Sequence, residues 1–371
     1  MEDKNKVAIS RIDEEIAKID KKENTVYFFV LDTKGNPSGS LEYIYKLAMI
    51  LKENKYNVAM LYQLAEGEEF VGVREWLGDK YADLTHEDIG GEDVKVSPSD
   101  ILFIPEIYAN VMIQTKNLPC KRIALLQNYD YILEQMPMAS QWGNIGIMDC
   151  LTNTELNKQL LAEIFPYVKT HVVEPYIDDI YGETTEPKKL IINIISKNQE
   201  DINKIIKPFY WKYPAYKFIS FRDLRGYPKE KYSEMLREAA ITIYVDDNTS
   251  FGYGALEAMK SGSIVIAKTP NMAQRWMEND EKTNLRDCCV WFDNFHELHR
   301  IIASVIRSWM ADSVPSEIKE NAKKSLEMYS YESTEKNVLE YIVNILENRK
   351  KEMESIKVVI KEKSKEGETD E

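Results

Sequence analysis

The stretch "TSFGYGALEAMKSGSIVIA", residues 249–267, sets Ser250, Gly252 and Gly254 directly ahead of an amphipathic run that ends in Ser-Gly and passes into β-branched residues. The apolar run before it, residues 241–245, reads as a strand; the middle reads as a short helix stopped by Gly262, and the end as a second buried strand. A helix entered through glycines leaves its first N–H groups uncluttered, so they can face an anion such as a diphosphate. The same glycines equally suit a turn that only has to pack closely. Both readings stand on this stretch alone.

Working outward, the same strand-and-helix rhythm covers most of the chain. "TVYFFVLD" from Thr25 is a continuous apolar run of the kind buried on both faces of a sheet; the loop "TKGNPSGS", a helical run and the strand "NVAMLYQ" follow it, a βαβ opening that implies parallel strands. The rhythm continues through "DILFIPE", "KRIALLQN", "NIGIMDCLTN" and "THVVEPYI", breaks at the charged segment "DDIYGETTEPKK" (178–189), and resumes with "LIINIIS", "YKFISF", "AITIYV", "SIVIAK" and "CCVWF". Two doubly wound α/β halves are expected, residues 25–183 and 184–330, with ligands in the cleft at the carboxyl ends of their strands. A charged helix (1–24) with Ile9, Ile12, Ile16 and Ile19 in one stripe precedes them. A long helix and polar tail (331–371) follow, charge-dominated and prone to fray beyond Arg349.

Composition narrows the function. With 371 residues the chain exceeds one ordinary core, and a net charge of −14 argues against nucleic acid as the main partner. No apolar run approaches a bilayer span, and a soluble, cytoplasmic protein is expected. The tail helix, residues 350–365, carries the one option of peripheral membrane contact, against which Glu352, Glu354 and Glu362 break its basic face; the terminal helices also offer a route to oligomers. Cys120, Cys150, Cys288 and Cys289 show no zinc spacing, and the histidines His86, His171, His296 and His299 have no metal-ligand pattern. The pair Asp246-Asp247 precedes a glycine-rich turn and is read as structural, so no metal is expected.

The stretch "FGYGALEAMKSGSIVIA" resembles the nucleotide-sugar signature of GT-B glycosyltransferases of the retaining family 4 type: Phe251, Gly252, Leu256, Glu257, Ala258, Met259, Ser261 and Gly262 fall where that pattern has them. The segments "DLRGYPKEKYSEMLREAAITIYVD", "GNPSGSLEYIYKLAMILKENKYNVAML" and "AKKSLEMYSYESTEKNVLEYIVNIL" resemble the family in register, the last as a helix that crosses back onto the first half. The resemblance implies a sugar transferred from a nucleoside-diphosphate sugar to an acceptor hydroxyl of a glycan, lipid-linked or protein acceptor, with retention and without metal or other cofactor.

It also implies roles. Glu257 would accept hydrogen bonds from the donor ribose diol, and the turn Ser250, Phe251, Gly252, Tyr253 and Gly254 would surround the donor. Gly39 and Ser40 would line the sugar side through the small-residue loop after the first strand. The first glutamate of the signature falls at Thr249, and the family's sugar-facing histidine falls near Gln127 and Asn128, so Asn128 and Thr249 stand at the reacting centre in altered form. Lys197, with Lys204 and Arg222 behind it, would offset the diphosphate. Thr249 keeps a second reading open, a non-catalytic GT-B-like binding or scaffold protein. A nucleotide-sugar epimerase of the same fold finds no distinctive acid or base residues here.

Overall fold

The computed structural model describes residues 2–65, 67–90, 94–136, 141–247, 251–271, 277 and 285–366. Its first half carries strands β1 (Thr25–Phe29), β2 (Asn57–Tyr62), β3 (Thr85–Asp88), β4 (Ile101–Pro105), β5 (Lys121–Leu126), β6 (Asp149–Thr152) and β7 (Lys169–Val172). They form one sheet in the order β3-β2-β1-β4-β5-β6-β7, parallel throughout. The second half carries β8 (Lys189–Ser196), β9 (Ser220–Asp223), β10 (Ala239–Val245), β11 (Ile264–Lys268) and β12 (Val290–Phe292), parallel in the order β12-β11-β10-β8-β9. The central strands β4 and β10 are buried along their whole length, which is why their sequences show no polar alternation.

Both sheets have helices on their two faces, so each half has two cores. The first core, centred on Phe28, Leu47, Ile50 and Phe103, also takes in Val338, Tyr341, Ile342, Ile345 and Leu346 of the C-terminal helix Tyr331–Glu366. That helix therefore packs on the first half although it follows the second in sequence. It does not fray at Arg349. Met353 is buried one turn later, and the N-terminal helix Glu2–Asp20 runs alongside, joined by Lys350 to Asp20 at 2.6 Å and by Lys357 to Asp13. Ile12 and Ile16 of the N-terminal helix pack on the first core and Ile19 is part of it. Among the described residues no helix is long and apolar enough to cross a membrane.

Two smaller expectations shift. The segment "YKFISF" is split: a 3-10 turn takes Pro214–Tyr216 and β9 starts only at Ser220. "CCVWF" loses its cysteines in the same way, since Leu285–Cys288 is a 3-10 turn and the strand begins at Val290.

Candidate functional site

The carboxyl ends of both sheets face one cleft of about 570 Å³. The first half contributes the start of the helix Gly39–Glu53, Trp76, and the residues just after β5 and β6; the second contributes the ends of β8 and β10, the loop after β9, and the helix Tyr253–Lys260. Gly252 caps that helix with φ +86°, a left-handed conformation that a side chain would strain. A Cβ on Gly254 would stand 3.1 Å from Ile195 and from Tyr244, so glycine lets the helix start press against β8 and β10. The two halves meet here: Tyr253 packs within ordinary contact distance of Gly39, where a Cβ would lie 3.5 Å from its ring.

At the cleft floor lies a buried group of charges drawn from three places in the chain. Lys229 Nζ, at the start of the helix Lys229–Glu238, donates to Glu42 at 2.6 Å and to Asp178 at 2.8 Å. Lys46 Nζ sits 3.0 Å from Glu42 and 2.6 Å from Asp178, and donates to the Tyr176 carbonyl at 3.1 Å. Glu42 and Lys46 belong to the first half and Lys229 to the second, so the group clamps the halves together through Asp178 in the connecting segment. Burial opposes the charge of Asp178, yet Lys46 and Lys229 hold its carboxyl well below the usual range. Burial likewise opposes the charge of Lys229, yet Glu42 and Asp178 hold its ammonium above its ordinary value.

Glu257 lies beside this group, lines the cleft and is buried. Burial, and after it the Glu42 carboxylate, push its carboxyl up, while Lys46, Lys229 and a hydrogen bond from Tyr232 pull it down. A second buried carboxyl, Glu106, ends the strand-side run of β4. Its Oε1 accepts from the backbone N–H of Gln127 at 3.0 Å and of Asn128 at 2.7 Å, and burial pushes it up to about 7. Asn157 completes this support, donating from Nδ2 to the Gln127 carbonyl at 3.0 Å and to Asn153 Oδ1 at 2.9 Å.

The cleft brings together Gly39, Ser40, Asn128, Lys197, Phe251, Gly252, Tyr253, Gly254 and Glu257. Asn128 has two jobs, since its side chain also caps the helix Tyr129–Gln135 by accepting from the Asp130 N–H at 3.1 Å. Lys197 is exposed and pairs with Asp246 at 2.9 Å. Thr249 and Ser250 lie outside the described residues. Arg222 is the correction: it sits within β9 rather than beyond its carboxyl end, is not among the cleft's lining residues, and pairs with Glu238. Lys204 also lies elsewhere, its carbonyl accepting from His299 at 2.9 Å. The cleft cations that sequence reasoning missed are Arg225, just past β9, and Lys229. Among the described residues no group of three or more His, Cys, Asp or Glu side chains is arranged to hold a metal.

No family model matches the chain. An α-1,6-glucosyltransferase of Actinobacillus pleuropneumoniae serotype 7 (strain AP76) is 24% identical over 179 residues, which is 47% of this chain and 54% of that relative, so the match spans about half of its length. Among solved structures, sucrose-phosphate synthase from Thermosynechococcus elongatus superposes with a TM-score of 0.62 at 9% identity, covering 88% of this chain and 100% of that one. The fold is GT-B. The pneumococcal O-GlcNAc transferase GtfA, in complex with UDP and GlcNAc, gives 0.59 at 9% identity over 88% and 99% of the two chains. Anabaena Alr3699/HepE, in complex with UDP-glucose, gives 0.57 at 11% identity over 86% and 99%.

Proposed function

We propose that the chain is a glycosyltransferase that moves a sugar from a nucleoside-diphosphate sugar to an acceptor hydroxyl. The observation that carries this reading is the convergence of Gly252, Gly254 and Glu257 with Lys197, Arg225 and Lys229 on one interdomain cleft. In this reading Glu257 takes the ribose diol, the helix start at Gly252 and the cations meet the diphosphate, and the sugar lies toward Gly39, Ser40 and Asn128. The acceptor oxygen attacks the anomeric carbon on the face from which the diphosphate leaves. The new C–O bond forms as the bond to phosphate breaks, and the hydroxyl proton passes to the leaving phosphate oxygen, so configuration is retained. Charge on the leaving group is met by lysine and arginine, and turnover is expected to survive EDTA.

A non-catalytic reading draws on two observations: Arg222 is not among the cleft's lining residues and pairs with Glu238, and Lys197 is paired with Asp246. One experiment separates the two readings. Calorimetric titration of UDP, GDP, ADP and CDP, then turnover of the corresponding nucleotide sugar, should give binding and release of the nucleoside diphosphate. Glu257→Gln should weaken the nucleotide roughly ten- to 150-fold, as expected for loss of a charged hydrogen-bond acceptor. Binding without any turnover would favour the scaffold; undiminished affinity in a folded Glu257→Gln would remove the donor-site assignment.

A further inference from the structure

The two walls of the cleft differ in charge. The second half supplies its cations, Lys197, Arg225 and Lys229, on the side assigned above to the diphosphate. The first half contributes, among the described residues, no lysine or arginine to the lining, and its one carboxylate, Glu42, is held by Lys46 and Lys229. The rest of that wall is hydroxyl, amide, aromatic and small residues. Trp76, Gln127, Asn128, Tyr131 and Asn153 give it its chemistry.

These side chains are held in place for recognition. The Gln127 backbone is engaged on both sides, its N–H by Glu106 and its carbonyl by Asn157, so the side-chain amide is what this position offers the cleft. Asn153 is set by the same Asn157 amide. Trp76 is 4% exposed, and its indole N–H is buried without a hydrogen-bond partner in the protein. That N–H is closed off from the cleft, so what Trp76 offers a ligand is the part of its ring that lines it. Tyr131 is exposed and lines the cleft, with an aromatic face available to the C–H face of a ring. Amides suit a ligand with many hydroxyls, since each both donates and accepts. A phosphate or carboxylate on this wall would find no cation of the wall's own.

We propose that the acceptor is an uncharged saccharide, bound against Trp76, Gln127, Asn128, Tyr131 and Asn153, and that anionic acceptors such as polyol phosphates and acidic glycans are poor ones. This rests on the glycosyltransferase reading and narrows its acceptor.

The test uses the full chain saturated with whichever of UDP, GDP, ADP and CDP binds, so that failure of all four, which would sink both readings, is seen first by calorimetry. Saturation-transfer NMR then compares maltotriose, cellotriose and chitotriose with glucose 6-phosphate, trigalacturonate and poly(glycerol phosphate). At least one neutral trisaccharide should bind, and at least tenfold more tightly than every charged probe. Tyr131→Ala removes an exposed ring from this wall; it should weaken that trisaccharide about fivefold or more while leaving nucleotide affinity within twofold and the melting temperature unlowered. A charged probe binding as tightly as the best neutral one, no neutral trisaccharide binding to the nucleotide complex, or unchanged trisaccharide affinity in Tyr131→Ala would each overturn the proposal.

Discussion

Lys229→Met tests the clamp at the cleft floor. The substitution keeps the length of the side chain and removes its charge, and the native group is balanced: Lys46 and Lys229 against Glu42 and Asp178, with contacts of 2.6–3.0 Å. Side-chain exposures of 1% for Lys46, 10% for Glu42 and Lys229 and 18% for Asp178 place the group largely out of water. Without Lys229 two buried carboxylates share one ammonium. Breaking a buried pair by removing one partner costs about 3–5 kcal/mol, because the remaining charge is left desolvated. That is the expected loss of stability at neutral pH, read by urea denaturation followed through tryptophan fluorescence and circular dichroism.

The loss should shrink in acid. Asp178 has a depressed carboxyl in the native state, so its contribution is present above its ordinary value of 3.8 and fades as pH falls through the lower native one. Once it is protonated, nothing is left unpaired in the variant. Glu42→Gln should offset part of the damage of Lys229→Met, with a coupling of about 1 kcal/mol or more between the two changes. Because Glu42 and Lys229 sit in different halves, the single variant should also separate the unfolding of the halves into two transitions. A loss below about 1 kcal/mol that adds simply with Glu42→Gln would mean that water reaches the group and that it clamps nothing.

Two further variants address the frame around the site. Glu106→Gln keeps an acceptor for the Gln127 and Asn128 N–H groups but cannot ionise. The native carboxyl, raised from 4.5 to about 7, binds its proton more tightly folded than unfolded, so wild-type stability should fall as pH rises from about 4.5 through about 7, and this slope should be absent from the variant; identical pH profiles by urea denaturation would refute the buried-acid assignment. Truncation after residue 336 removes Val338, Tyr341, Ile342, Ile345 and Leu346 from the first core, each worth about 1.5–3 kcal/mol of burial; the first half should lose cooperative unfolding by circular dichroism, and a truncated chain that melts like the full one would refute the crossover packing.

The strands were legible because burial on both faces writes itself as an unbroken apolar run: "AITIYV" and "ILFIP" carry β10 and β4 almost residue for residue. The glycine turn was legible because φ +86° at Gly252 and the tight approach at Gly254 exclude most other residues. Lys229 was not. In "YPKEKY" it looks like any first-turn lysine, and its meaning comes from Glu42, 187 positions away. Arg222 misled for a related reason: residues that face the cleft lie beyond the carboxyl end of a strand, and β9 runs to Asp223, which passes that place to Arg225. Glu106 did leave a trace, a carboxyl closing the apolar run "ILFIPE", since a charged residue at the end of a buried strand needs partners.

The clamp and the donor carboxyl share one electrostatic balance. Glu42 opposes ionisation of Glu257, whereas Lys46 and Lys229 favour it, and burial already presses the carboxyl toward its neutral form. A neutral Glu257 would keep an acceptor oxygen but turn the other into a hydroxyl, a weaker match for a diol than two charged oxygens. The ionised form therefore depends on the two lysines standing close by, and Lys229 stands there only while the halves are closed on Glu42 and Asp178. Lys229→Met should accordingly weaken the nucleotide even though Lys229 need not touch the ribose, and the weakening should grow more marked as pH falls, because the variant's Glu257 protonates at a higher pH than the native one. A Glu257 that ionised independently of the clamp would show the same pH dependence of nucleotide affinity in both proteins, and calorimetric titration across that range tells the two apart.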